Sequence, residues 1–217
     1  FALELMETEP VIIDVRTEGE WDSDGYIEGA TFVTVTTIAQ NLDKLPADLD
    51  TPIVVYCKAG TRGQFAMITL QVMGYSDVRN LSGGITAWKD AGYEVGDTPF
   101  AEMEFEAGDG PMIDDALVAE MDDFLTNYIP GGWGQVSVDD FALAAMETEY
   151  FLVDVRTPAE WEADGIIEGA ALITINDLAK NLDQIPMDMP IMVYCKAGTR
   201  GNFGAIMLQM LGYEAYN

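Results

Sequence analysis

Four short runs along the chain are rich in apolar and β-branched residues and do not alternate between polar and apolar positions. These runs are Val11–Val15, Ile53–Tyr56, Phe151–Val155 and Ile191–Tyr194. Strands that are buried on both faces have this pattern, whereas half-solvated strands alternate. The pattern therefore predicts strands inside parallel sheets.

Two longer apolar stretches have helical spacing. Phe65 to Met73 follows the second run and Phe203 to Leu211 follows the fourth, and each stretch stops at Gly-Tyr. Glycine commonly ends a helix. Strands that alternate with helices predict the α/β class, with a parallel sheet flanked by helices.

The second half of the chain repeats the first at a constant spacing. The matched segments are Phe1-Ala-Leu with Phe141-Ala-Leu, Asp14-Val-Arg-Thr with Asp154-Val-Arg-Thr, and Asn41-Leu-Asp with Asn181-Leu-Asp. Further along, LPADLDTP is shortened to IPMDMP, a change that an exposed loop tolerates. The repeat predicts two homologous domains, which we assign to residues 1–98 and 135–217.

Residues 99–134 are predicted to form an acidic linker that contains an amphipathic helix. Its apolar face would consist of Ile113, Leu117, Met121, Phe124 and Tyr128. We expect the helix to begin near Asp114, to end at Pro130-Gly-Gly and to dock between the domains. A membrane-surface helix is the alternative, but its acidic polar face would be repelled by anionic lipids.

The two copies differ at their ends. Val136–Val138 is predicted to be a strand, and the residues after Asp139 are predicted to be a helix. By the repeat, the equivalent helix of domain one is the fragment Phe1–Met6, and the equivalent strand is expected upstream of Phe1. After Tyr75 domain one continues through LSGGITAWKDAGYEV, whereas the sequence of domain two stops at Asn217. We therefore expect domain two to continue natively with a strand and a helix of this kind.

Charge and residue usage narrow the chemistry. The chain has 38 acidic and 10 basic residues, with a net charge of -28. This excludes a nucleic-acid partner, because phosphate contacts need clustered Lys and Arg, and no apolar run is long enough for membrane insertion. The acidity favours a salty or extracytoplasmic setting, where repulsion is screened; the sequence does not indicate an oligomeric state.

The chain contains no histidine and two cysteines. The absence of histidine excludes Ser-His and Cys-His nucleophile pairs and most zinc sites. Two cysteines are too few for a multi-thiolate metal site or a disulfide framework. We therefore expect neither a metal nor an organic cofactor.

Both cysteines lie in the same seven-residue word, CKAGTRG, at Cys57–Gly63 and Cys195–Gly201. Each word follows a predicted strand and opens a predicted helix, at the sheet edge where α/β proteins form their sites. Successive backbone N–H groups in such a turn, together with the helix N-terminus, stabilise an anion and so favour a reactive thiolate. Four of the ten basic residues lie in these two words, which indicates a site for an anionic substrate. Solvated surface lysines are the alternative for Lys58 and Lys196.

The sequence resembles tandem rhodanese sulfurtransferases. The resemblance covers both repeats and rests on several motifs: Asp-x-Arg at the strand end, Glu-Trp before a Gly-x-Ile-x-Gly-Ala turn, the Cys-x-x-Gly-x-Arg loop, and Leu81-Ser-Gly-Gly with Ala87-Trp88 in copy one. The family usually has histidine in the Gly-His-Ile turn, where Tyr26 and Ile166 stand here. The local turn is therefore expected to differ.

The resemblance implies a role for each loop residue. Cys57 and Cys195 would carry a sulfane sulfur as a persulfide from a small anionic donor to a thiophilic acceptor. Arg62 and Arg200 would bind the donor's oxyanion, and the loop amides would cradle the transferred sulfur. The substrate-binding residues are Lys58, Ala59, Gly60, Thr61, Arg62, Gly63, Lys196, Ala197, Gly198, Thr199, Arg200 and Gly201.

Three residues in each copy are expected to give structural support: Asp14, Arg16 and Glu20, with Asp154, Arg156 and Glu160. We interpret Arg16 and Glu20 as an i,i+4 ion pair and Asp14 as a strand-end carboxylate that accepts backbone N–H bonds. The resemblance also implies a thiosulfate-like donor, because mercaptopyruvate enzymes resemble Cys-Gly-Ser/Thr-Gly-Val-Thr rather than CKAGTR.

Three alternatives remain at this stage. A cysteine-loop phosphatase or arsenate reductase needs Cys-x5-Arg, whereas both loops here are Cys-x4-Arg. A rhodanese-like module that binds partners or senses redox state would be marked by loss of the loop cysteine, and both copies keep it. A Cys57–Cys195 disulfide would require two equivalent positions of separate domains to come within about 7 Å between Cα atoms.

Overall fold

The computed structural model describes residues 9–104, 107–129 and 131–217 of the chain. The chain folds into two units, Phe1–Asn127 and Tyr128–Asn217. The predicted helix fragment Phe1–Met6 and the predicted helix end at Pro130 lie outside the described residues. The predicted domain and linker bounds, 1–98, 99–134 and 135–217, stay predictions.

A sheet of four parallel strands in the order β2-β1-β3-β4 lies at the centre of the first unit. The strands are β1 Val11–Asp14, β2 Thr31–Phe32, β3 Ile53–Tyr56 and β4 Val78–Asn80. All four residues of β3 are buried, as its uniformly apolar pattern predicts. Because β3 is a central strand, the residue that follows it is held at the carboxyl edge of the sheet.

Among the described residues of this unit, the α-helices that flank the strands are α1 Glu18–Asp24, α2 Thr61–Val72, α3 Gly84–Asp90 and α4 Asp115–Asp123. Shorter 3-10 segments are Val35–Gln40, Leu42–Lys44 and Phe100–Glu102. Helix α1 begins with a capping box, in which Thr17 and Glu20 satisfy each other's backbone N–H groups. Helix α2 begins four residues before its predicted apolar stretch, directly after the cysteine loop.

The predicted amphipathic helix is α4. Asp114 caps it, since its Oδ1 accepts hydrogen bonds from the N–H groups of Ala116 (3.0 Å) and Leu117 (3.3 Å), and a π-helical turn, Phe124–Tyr128, continues it. Within the first unit, Phe124 stacks on Phe65 of α2, with ring centroids 6.4 Å apart. The π-helical turn at the end of this helix thus packs against α2.

An aromatic cluster lies beside the cysteine loop in the first unit. Trp21 and Tyr26 stack with ring centroids 4.1 Å apart, and Phe32 meets Trp21 edge to face at 5.7 Å. Tyr56 and Ile85 belong to the same buried cluster. Tyr26 is therefore a buried aromatic residue, and it stands at the position in this turn where the family usually has histidine.

The second unit repeats this architecture, with parallel strands in the order β6-β5-β7-β8. Its strands are β5 Phe151–Asp154, β6 Ala171–Leu172, β7 Ile191–Tyr194 and β8 Ala215–Tyr216. Its α-helices are α5 Val138–Ala144, α6 Pro158–Asp164 and α7 Thr199–Met210, and its 3-10 segments are Gly131–Gly134, Leu178–Lys180 and Leu182–Gln184. The prediction of two α/β domains, each a parallel sheet flanked by helices, is confirmed. No helix of the described residues is both long and apolar enough to cross a membrane.

The predicted strand Val136–Val138 is wrong. Ser137 caps α5, its Oγ accepting from the Asp140 N–H at 3.1 Å, so Val138 is already the first helical residue. What remains of the pairing is two backbone hydrogen bonds with Asn217: the Val136 N–H donates to the Asn217 carbonyl oxygen at 2.9 Å, and the Asn217 N–H donates to the Gly134 carbonyl oxygen at 2.8 Å.

Candidate active site

Cys57 follows the last residue of β3 and is 2% exposed. The chain then turns through Gly60, whose φ of 109° lies in the left-handed region, and enters α2 at Thr61. This turn brings the Gly60 N–H to 3.1 Å from the Cys57 Sγ, to which it donates a hydrogen bond. The loop therefore directs an amide dipole at the sulfur, an arrangement that stabilises negative charge there.

Asn80, at the end of the neighbouring strand β4, holds this turn in place. Its Nδ2 donates to the Gly60 carbonyl oxygen at 2.9 Å, and its buried Oδ1 has no hydrogen-bond partner. That oxygen lies against Gly63, where a Cβ atom would clash with it. Sequence reasoning missed Asn80; its signal was the matching Asn217, whose Oδ1 lies against Gly201 in the same way.

The start of α3 covers the other side of the first loop. The N–H of Ile85 donates to the Cys57 carbonyl oxygen at 2.9 Å, and Thr86 donates to the Lys58 carbonyl oxygen from its N–H at 3.1 Å and its Oγ1 at 2.9 Å. Gly84 has a φ of 58°, and a Cβ atom on it would clash with the backbone of Cys57 and Lys58. The Leu-Ser-Gly-Gly motif of copy one therefore serves as a close cover for the cysteine loop.

The loop arginine forms a two-point ion pair with helix α1. Arg62 Nη1 and Nη2 donate to Glu20 Oε2 and Oε1, both at 2.6 Å. In the second unit, Arg200 makes the same pair with Glu160 at 2.7 and 2.6 Å. The Arg62 hydrogen bonds lower the pKa of Glu20 to about 2, against the opposing effect of its burial.

The same contacts raise the pKa of Arg62. Hydrogen bonding to Glu20 is the main cause, burial acts in the opposite direction, and the thiol of Cys57 adds a smaller contribution. Cys195 contributes in the same sense to the raised pKa of Arg200. Each guanidinium thus lies within interaction range of its cysteine while it is bound to a glutamate.

The predicted i,i+4 pair between the side chains of Arg16 and Glu20 is wrong. Arg16 precedes the cap residue Thr17 and is therefore not on the helix; its Nε and Nη2 bind Asp14 at 2.9 and 2.6 Å, and it reaches Glu20 only through that residue's backbone oxygen, at 3.3 Å. The second copy departs from its expected pair in the same way, since Arg156 binds Asp154 and Glu160 binds Arg200.

The supporting role predicted for Asp14 agrees with its contacts. Its Oδ1 accepts the backbone N–H of Arg16 at 3.1 Å, and Asp14 and Arg16 are both completely buried. Arg16 Nη2 also donates to the Gly25 carbonyl oxygen at 2.6 Å. This ion pair therefore fixes the turn after α1 to the end of β1 and is closed to a ligand.

The loop lysine pairs with the other end of α1. Lys58 Nζ lies 3.1 Å from Asp24 Oδ2, and Lys196 Nζ lies 2.9 Å from Asp164 Oδ2 in the second unit. Both lysine side chains are more than half exposed, at 56% and 62%. Sequence reasoning missed the two aspartates because their partners lie more than thirty residues further along the chain.

An open cavity of about 390 Å3 adjoins Cys195 in the second unit. Its lining includes Cys195, Lys196, Asp164 and Tyr194, with Ile166 and Ile167. Cys195 is half-buried, and Cys57 and Cys195 are both free thiols. A small anion that enters this cavity would meet the thiol and the lysine together.

Comparisons with known proteins bear on both sites. A family model described as a rhodanese-like domain matches residues 2–91 and 137–217. Part of the chain is 40% identical over 79 residues to a probable adenylyltransferase/sulfurtransferase MoeZ of Mycobacterium tuberculosis, covering 36% of this chain and 19% of that protein. The chain therefore spans about a fifth of the length of that relative.

Two further relatives are matched over most of their own length. A sulfurtransferase of Allochromatium vinosum is 36% identical over 92 residues, which cover 42% of this chain and 83% of that protein. A thiosulfate sulfurtransferase GlpE of Pseudomonas fluorescens is 36% identical over 85 residues, covering 39% of this chain and 75% of that protein.

Proposed function

The chain belongs to the rhodanese family, with one rhodanese-like domain in each half, and from this premise we propose that both halves transfer a sulfane sulfur through a cysteine persulfide. Cys57 and Cys195 are the nucleophiles. The donor is a small anion of the thiosulfate type, and the acceptor is a thiophilic molecule such as cyanide.

The observation that carries this proposal is the hydrogen bond from the Gly60 N–H to the Cys57 Sγ, at 3.1 Å. A thiolate is an anion, so an amide directed at its sulfur favours the nucleophilic form of Cys57. Arg62 lies within interaction range of the same thiol. The site therefore has the donors that sulfur chemistry needs in a chain without histidine.

Sulfur enters by attack of the thiolate on the outer sulfur of the donor. A new S–S bond forms between that sulfur and Cys57 Sγ, the S–S bond of thiosulfate breaks, and sulfite leaves with the bonding electron pair. The cyanide carbon then bonds to the terminal persulfide sulfur, the electron pair returns to Cys57 as thiolate, and thiocyanate leaves. Both steps balance without an added oxidant, reductant or cofactor.

The donor class follows from the loop word. CKAGTR carries two cations, and members of the family with charged loops favour thiosulfate-like donors. The name of the GlpE relative, thiosulfate sulfurtransferase, is consistent with this assignment. We therefore expect thiosulfate to be a better donor than mercaptopyruvate.

Steady-state kinetics with thiosulfate and mercaptopyruvate, each with cyanide as acceptor, test the donor. Mass spectrometry after loading with thiosulfate should find one added sulfur on Cys57 and one on Cys195. Preference for mercaptopyruvate would contradict the donor assignment. Neither turnover nor persulfide with either donor would favour a non-catalytic binding module.

Substitution of the nucleophiles tests the two sites separately. Cys57→Ser and Cys195→Ser should each leave part of the thiosulfate activity, and the double variant none, because a serine hydroxyl in the same loop stays protonated. Circular dichroism of each variant serves as the folding control. A folded single variant without any activity would show that the two loops are not equivalent.

A further inference from the structure

Each cysteine loop carries two cations, and one helix supplies a carboxylate to each of them. In the first unit, Glu20 and Asp24 lie one turn apart on α1 and pair with Arg62 and Lys58. The second unit repeats this arrangement with α6 and the loop at Cys195. Residues four apart share one helix face, so in each copy two carboxylates on one helix face neutralise the two formal positive charges of the loop.

The two pairs in each copy are held differently. Arg62 and Glu20 share two hydrogen bonds of 2.6 Å, and their side chains are 16% and 23% exposed. Lys58 makes one contact of 3.1 Å to Asp24 and is 56% exposed. Two-point arginine–carboxylate pairs are the strong kind, whereas exposed single-contact pairs open easily. A donor anion can therefore displace the carboxylate from the lysine far more readily than from the arginine.

The cavity of the second unit places the openable pair beside the nucleophile. Lys196 and Asp164 both line the cavity that contains Cys195, and Arg200 is not among its lining residues. Arg156 also lines it, but its Nη2 and Nε are bound to the Asp154 carboxylate, and its Nη1 lies 4.0 Å from Asp164 Oδ2, farther than the Lys196 Nζ at 2.9 Å. The lysine is thus the cation that a ligand in this cavity can reach with the loss of one weak contact.

We propose that Asp24 and Asp164 determine donor affinity, because each competes with the donor's oxyanion for the loop lysine. Glu20 and Glu160 are positioning residues that hold the loop arginine beside the thiol. This inference rests on the proposed function and assigns a different role to each loop cation. The lysine binds the donor's oxyanion, and the arginine stabilises the charge on the sulfur.

The test uses the full chain with Cys195→Ser, so that only Cys57 reacts. Asp24→Asn should lower the KM for thiosulfate roughly two- to fivefold, the range that an exposed ion pair is worth, with little change in kcat. Lys58→Met should raise KM. Glu18→Gln is the matched control, since Glu18 is an exposed carboxylate of the same helix, and it should leave both constants unchanged.

A double-variant cycle separates competition for the lysine from simple repulsion of the anion. If Asp24 acts through Lys58, the effect of Asp24→Asn should largely vanish in the Lys58→Met background. An unchanged effect there would overturn the competition, and so would an unchanged or raised KM in Asp24→Asn alone. Arg62→Gln should lower kcat more than it raises KM. A rise in KM alone would show that the arginine, and not the lysine, binds the donor's oxyanion.

A binding measurement keeps the inference testable if the chain does not turn over. Sulfate is an unreactive divalent oxyanion, and its occupancy can be followed as protection of Cys57 against alkylation by iodoacetamide. Asp24→Asn should lower the sulfate concentration for half-protection, and Asp164→Asn should do the same for Cys195 in a Cys57→Ser chain. Protection without persulfide formation would contradict the proposed function and leave the affinity role standing; no change in half-protection would overturn the affinity role.

Discussion

Glu20 connects two parts of the first site through one carboxylate. Its Oε2 accepts the N–H of Thr17 at 3.1 Å and the hydroxyl of Thr17 at 3.0 Å, which closes the capping box of α1. Both oxygens also hold Arg62. Loss of this carboxylate would therefore loosen a helix start and the cysteine loop together.

Glu20→Gln should lower the free energy of unfolding by up to about 1 kcal/mol, the range of a partly exposed ion pair, because glutamine at this position keeps the capping box and loses only the charge. The pKa of Glu20 is lowered in the folded state to about 2, so its contribution is complete above the ordinary pKa of 4.5 and is lost as the pH falls towards 2. Urea unfolding at pH 7 and at pH 3 measures both effects. The loss should be smaller at pH 3, and an equal loss at the two pH values would contradict the role of the charge.

At the scale of elements, the junction between α3 and the cysteine loop depends on a missing side chain. Gly84→Ala places a Cβ atom against the Cys57 carbonyl oxygen and Lys58, in a backbone conformation with φ of 58°. We expect the covering segment to be displaced, with at least a severalfold faster alkylation of Cys57, since its thiol becomes accessible, or a loss of about 1 to 3 kcal/mol of stability.

The second cysteine provides an internal reference for this variant, because Cys195 in the same chain should be alkylated at its wild-type rate. Gly19→Ala is the matched control, since nothing lies within 4 Å of a Cβ atom there. Wild-type behaviour of Gly84→Ala at Cys57, in both alkylation rate and stability, would show that the contact is not needed.

The elements differ in how far the sequence determined them. β3 and β7 have the predicted bounds, since a run without polar positions fits only a buried strand. Val136–Val138 has a strand-like composition, yet Ser137 is a good helix cap, and the cap prevails.

The ion pairs were harder to predict from the sequence than the strands. The i,i+4 rule applies only to residues on one helix, and Arg16 lies before the cap of α1, so its nearest carboxylate is Asp14. Glu20 then becomes available to Arg62, which is distant in sequence and adjacent only after β3 and α1 have folded. The loop word predicts which residues belong to the candidate site, but their pairing is a tertiary property.

At the scale of the whole molecule, the net charge of -28 opposes folding. Mutual repulsion of the acidic groups destabilises the folded chain and is screened by salt. We expect the thermal unfolding midpoint to rise by a few degrees between about 0.05 and 0.5 M sodium chloride, which corresponds to about 1 kcal/mol. Potassium chloride at equal ionic strength is the control for ion-specific effects, and a falling midpoint in both salts would contradict the expectation.

The paired carboxylates of α1 and α6 also affect how quickly a donor finds its site. Lys58 and Arg62 are balanced by Glu20 and Asp24, so an approaching dianion experiences no local attraction, and the acidic surface repels it from a distance. Electrostatic steering accelerates encounters between opposite charges, whereas the repulsion here slows the encounter. Dissolved salt shortens the range of this repulsion, so that collisions with the loops become more frequent as ionic strength rises.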